Sequence, residues 1–116
     1  MFTNIKSVTN QQPSAGQGGV AFANNQPNHA GEGWACVPGF SGEVGRHLPV
    51  PQTSKFAEGL WVYTLRGLCQ VIDNDWQISG MWDNGTEDVF LQKGQGAGGD
   101  IKVRIDANGN ISMAKA

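Results

Sequence analysis

The cleanest alternation of apolar and polar positions lies late in the chain, where Ile101, Val103 and Ile105 fall on one face and Lys102, Arg104 and Asp106 on the other. A period of two marks a half-buried β-strand. Ala107-Asn108-Gly109 turns this strand back into Ile111 and Met113, which predicts a terminal hairpin of the type I′ kind. Upstream, Trp76, Ile78 and Trp82 share a face at the same period, and Asp83-Asn84-Gly85 reads as another type I′ turn, because an Asn-Gly pair accepts positive φ. Residues 89–92 return from it. Residues 60–72, LWVYTLRGLCQVI, are rich in β-branched and aromatic residues and are interrupted only by Gly67. That glycine predicts a bulge in one long strand or the division between two. Residues 73–75 then form a tight polar turn, and residues 33–37 an earlier strand that ends at Pro38-Gly39.

The first third of the chain has a different character. Residues 2–8 predict a short strand in which Phe2, Ile5 and Val8 alternate only loosely. Residues 11–33 are dominated by Gln, Asn, Gly, Ser and Pro, with Val20, Ala21, Phe22 and Ala23 as an apolar island. Such a segment does not bury enough apolar surface to fold alone. The prolines of Leu48-Pro49-Val50-Pro51 remove alternate backbone donors and confine that stretch to an edge or a loop. No helix is expected beyond one turn near Ser54 to Glu58. The expected fold is therefore all-β, a small antiparallel β-sandwich or barrel over residues 34–116 with an extended Gly/Gln/Asn-rich N-terminal arm over residues 1–33.

Composition narrows the function. The net charge of −2 comes with dispersed lysines and arginines, whereas phosphate neutralisation needs a concentrated basic face, so no nucleic-acid partner is expected. No apolar run approaches the ~20 residues of a membrane span, and the opening MFTNIKSVTNQQ lacks the basic and apolar blocks of a secretory signal. A cytoplasmic starting point follows, with no membrane partner. Cys36 and Cys69 each lie in apolar, strand-like runs, which predicts two small buried thiols ahead of a disulfide.

Apparent motifs dissolve on inspection. Residues 94–99, GQGAGG, match a dinucleotide fingerprint in letters, but the mechanism needs a helix after the glycines and a strand follows here. His29, Cys36, His47 and Cys69 have no paired spacing that would fix a zinc ion. Asp106 to Asn110 resembles the start of a calcium loop without its glycine or its closing acid. Asp73, Asp75, Asp83, Glu87 and Asp88 all fall in turns rather than across a cleft. No catalytic residue, metal ligand or cofactor is predicted, and the chain is expected not to be an enzyme.

An arm of residues 11–33, a tryptophan-containing β-body and a closing strand-Asp-Ala-Asn-Gly-Asn-strand hairpin across residues 100–113 together resemble the small structural proteins of tailed-bacteriophage virions, especially capsid decoration or cement proteins. The resemblance implies a virion subunit, assembled in the host cytoplasm, that binds the major capsid protein or other virion subunits and forms a homo-oligomer, often a trimer. Phe2, Ile5, Val20 and Phe22 are the expected partner contacts, the last two by adding a strand to an exposed edge. Tail or baseplate accessory proteins share these features. A carbohydrate- or receptor-binding module is the contrasting expectation, with Trp82, Asp83 and Asn84, joined by Trp61, as an exposed aromatic contact.

Overall fold

The computed structural model describes residues 2–14, 18–24, 33–96 and 98–116. Among them the strands are β1 (Thr3–Asn10), β2 (Val20–Asn24), β3 (Gly33–Cys36), β4 (Ser41–Glu43), β5 (Leu60–Thr64), β6 (Gly67–Asn74), β7 (Gln77–Trp82), β8 (Glu87–Leu91), β9 (Gly99–Ile105) and β10 (Ile111–Lys115), with a single 3-10 turn at Phe56–Glu58. They form a four-stranded sheet ordered β10-β9-β1-β4 and a six-stranded sheet ordered β3-β2-β5-β6-β7-β8. The sheets face each other as a sandwich. Its core takes Ile5, Val8, Ile101, Val103 and Ile105 from the smaller sheet and Phe22, Leu60, Val62, Val71, Ile78 and Trp82 from the larger.

The alternation at Ile101, Val103 and Ile105 places those side chains inward, and Gly67 divides residues 60–72 into β5 and β6. Every strand pair is antiparallel except β1 with β9, which run parallel from Thr3↔Gly99 to Asn10↔Ile105. That register skips a residue between Ile5 and Ser7. The bulge turns both Ile5 and Val8, three positions apart, into the core, and this is why the sequence shows only loose alternation there.

The segment expected to be an arm contributes two interior strands. β1 lies between β9 and β4, and β2 lies between β3 and β5, pairing Phe22 with Trp34 on one side and Val62 on the other. The proline-rich stretch is a loop with buried contents: Val50 is fully enclosed and Leu48 nearly so. It joins the sheets through Val50 N–H to the Thr3 carbonyl and Asp73 N–H to the Pro51 carbonyl.

Turn geometry departs from the expectation in an informative way. A type I′ turn needs positive φ at both central residues. At residues 83–86 and 106–110 only Gly85 (φ 88°) and Gly109 (φ 83°) are positive, and each closes a longer loop with a glycine bulge. The type I′ geometry belongs instead to Asp75 (φ 55°) and Trp76 (φ 64°), between β6 and β7. Trp76 is thus a turn residue and not a strand-face partner of Ile78 and Trp82. The left-handed region costs an L-residue on the order of 1–2 kcal/mol.

Candidate functional site

The outer faces of the two sheets differ in kind. On the four-stranded sheet the outward positions are Ser7, Thr9, Ser41, Glu43, Lys102 and Arg104, as the burial alternation and strand registers require. Thr9 and Ser41 share a hydrogen bond of 3.1 Å, and Arg104 Nε donates to Gln11 Oε1 at 2.7 Å. This face meets water as an antiparallel sandwich ordinarily does.

The six-stranded sheet breaks that pattern. Leu60 and Val62 point inward, so Trp61 and Tyr63 point outward, and the registers extend them into rows across the sheet. One row runs Ala23, Trp61, Gln70, Met81, Glu87, and another runs Ala35, Ala21, Tyr63, Leu68. Val89, 46% exposed, follows Ser79 and Ile72 in a third. Gly59 lies against Ile72 and covers that end, whereas Trp61, Tyr63, Leu68 and Met81 remain half-buried. The indole Nε1 of Trp61 is enclosed yet has no hydrogen-bond partner. A buried donor without an acceptor costs roughly 1–3 kcal/mol, so this indole is held at some cost to the folded chain itself.

Compared with known proteins, the chain matches no family model, no curated protein and no solved structure.

The residues singled out in the sequence fall in three places. Ile5, Val20 and Phe22 are core side chains, enclosed between the sheets. Phe2, 65% exposed, is the one of the four available at the surface. Trp82 is only 1% exposed because β-alternation turns it inward, while Asp83 and Asn84 lie in the exposed turn that follows. Its Nε1 donates to Asp88 Oδ2 at 2.8 Å, and the Arg66 guanidinium lies 4.1 Å from the ring centroid. Arg66 Nη1 in turn donates to the same Asp88 oxygen (2.8 Å) and to Asn110 Oδ1 (3.1 Å), tying the β5–β6 turn to β8 and to the terminal hairpin. Trp82, Asp83 and Asn84 thus do not form a shared aromatic platform. The signal that marks the outer face was present in the sequence: residues 60–63 are continuously apolar, a pattern that belongs to a strand covered on both sides.

No group of three or more His, Cys, Asp or Glu residues among the described residues is placed to hold a metal ion, and His29 lies outside them. No helix among the described residues is long and apolar enough to cross a membrane.

Both cysteines are free thiols. Burial pushes the Cys69 thiol up to about 12, reinforced by the Asp88 carboxylate and opposed by Arg66. Burial also raises Cys36, against a hydrogen bond involving Asn10. The unfolded chain releases the Cys69 proton near pH 9 and the folded chain at about 12. Its contribution to stability is therefore complete below pH 9 and declines as the pH rises from there toward 12. Urea unfolding at pH 8 and pH 11 should show the wild type losing more stability across that interval than Cys69→Ala. Equal losses would remove the thiol as the cause.

Proposed function

We propose that this chain is a non-enzymatic structural subunit that docks onto other protein subunits through the outer face of its six-stranded sheet. The setting we propose is a virion, where the chain binds and stabilises an assembled shell as a capsid decoration or cement subunit and associates with copies of itself. The observation that carries the docking role is the Trp61 face: Trp61, Tyr63, Leu68, Met81 and Val89 point away from the core with no third layer of strands over them among the described residues.

Apolar side chains on the outer side of a sheet contribute little to folding but much to association, and aromatic residues at the centre of such a patch carry a disproportionate share of binding energy. The virion setting rests on the resemblance of the polar N-terminal third and closing hairpin to decoration proteins. Repetition across a shell suits a small subunit, because each copy's modest contact is multiplied by its neighbours.

Trp61→Glu places a charge in the middle of this face without touching the core. Added to shells that lack the subunit, the wild type should saturate them, and the variant should bind at least about tenfold more weakly, a loss of ~1.4 kcal/mol. Because Trp61 is half-buried, some stability is lost with it, and far-ultraviolet circular dichroism should show the variant still folded at the temperature of the binding assay. Equal occupancy by the two proteins would rule out this face.

A further inference from the structure

From the β6–β7 turn we infer a second binding site, a saccharide site in which the Trp76 indole is the stacking platform. A hollow of about 340 Å3 opens beside this turn, lined by residues 52–54 and 73–76. Among the described residues Trp76 is its one aromatic wall, and it is 37% exposed. The ring does not belong to the hydrophobic core cluster. The strain of its left-handed backbone, at a turn position where glycine is the ordinary occupant, is thus not offset by core packing.

The remaining lining is polar. Ser54 and Asn74 bring a hydroxyl and an amide to the rim, beside Gln52 and Thr53, whose hydroxyl donates to Glu58 Oε1 at 2.9 Å and accepts from Lys55 N–H at 3.1 Å. The wall holding residues 52–54 is fixed to β6 by the Gln52↔Asp73 bridge and by the Asp73 N–H bond to Pro51. Asp75 is balanced by Lys93, with Nζ at 2.7 Å from Oδ2. Asp73 also borders the hollow; it is 1% exposed, accepts a bond from Thr3 Oγ1 at 2.8 Å through Oδ2, and leaves Oδ1 buried without a partner.

One aromatic face amid neutral donors and acceptors suits a ligand that is apolar on one side and hydroxylated around its edge, which describes a pyranose ring. The two carboxylates disfavour an anion, and the lack of a second apolar wall among the described residues disfavours a greasy ligand. The occupant is therefore a neutral sugar. This site lies apart from Trp61 in the fold, at a hairpin end instead of on the sheet face, so the two surfaces are separable by mutation.

The probes are glucose, galactose, mannose, N-acetylglucosamine and their β-linked dimers, titrated into the full chain by isothermal calorimetry and tryptophan emission. Trp76→Gly removes the ring and relieves the backbone at once. We expect saturable binding of at least one sugar by the wild type, weakened at least about tenfold in Trp76→Gly, with a rise in Tm of about 4 °C in the variant. Asn74→Ala, which keeps the ring, should weaken the same sugar. The inference is overturned if no sugar in the panel binds saturably, or if Trp76→Gly binds as the wild type does. Loss of shell binding in Trp76→Gly with no sugar effect would make the ring a protein contact and overturn it equally. The Trp61→Glu variant should keep full sugar binding, which separates this test from that of the docking face.

Discussion

A chain lacking residues 1–33 is expected to be unfolded. The deletion removes β1 from between β9 and β4 and β2 from between β3 and β5, so each sheet loses an interior strand. Four strand edges would be left without partners, and Ile5, Val8, Val20 and Phe22 would leave the core together. Full burial of each such side chain is worth about 1.5–3 kcal/mol, and four of them match the 5–15 kcal/mol by which a domain is ordinarily stable. Far-ultraviolet circular dichroism and an amide correlation spectrum of residues 34–116 should show a disordered chain with no cooperative transition. A sharp thermal transition in that fragment would mean that the compact body does not need the first two strands.

The second large effect is expected at Trp82. Truncation to alanine removes a fully enclosed indole, for which core aromatic truncations cost about 3–5 kcal/mol. It also takes one donor from Asp88 and the ring face from Arg66. Trp82→Phe keeps a ring beneath the guanidinium but loses the N–H bond to a carboxylate, an interaction worth about 1.5–3 kcal/mol. Urea midpoints should therefore fall in the order wild type, Trp82→Phe, Trp82→Ala. Indistinguishable midpoints for wild type and Trp82→Ala would show that the Arg66–Trp82–Asp88 cluster does not brace the fold.

The all-β character was legible where local pattern and tertiary environment agree. Ile101, Val103 and Ile105 alternate because one side of β9 faces the core, and Gly67 divides two strands as its position suggested. β1 was harder to read because its bulge shifts the inward residues out of period two, and its partner β9 lies at the far end of the sequence. β2 was obscured by its surroundings: Val20 and Phe22 are ordinary inward residues, but Ala21 and Ala23 on the other side and the Gly/Gln-rich flanks read as linker. Around Trp76 the period-two pattern misled, since alternation does not reveal that a turn holds the first residue in left-handed geometry. Trp82 and Asp83 are neighbours in sequence and occupy opposite environments, so the platform expected from their adjacency does not form. The Trp61 face was half legible, in that an uninterrupted apolar strand implies two covered sides while leaving open what covers the second.

The parallel pairing of β1 with β9 also sets an order of events. Thr3 finds its place only beside Gly99, so the smaller sheet has no centre until nearly the whole chain exists. At ribosomal speeds of roughly 5–20 residues per second, Ile5 and Val8 wait on the order of 5–20 s without their layer. The β5–β6–β7–β8 meander, built from hairpins between sequence neighbours, is free to form during that interval. Until β9 arrives, the apolar side of that meander has no facing layer, so the larger sheet gains its lasting stability only when the β9–β10 hairpin gives β1 its partner.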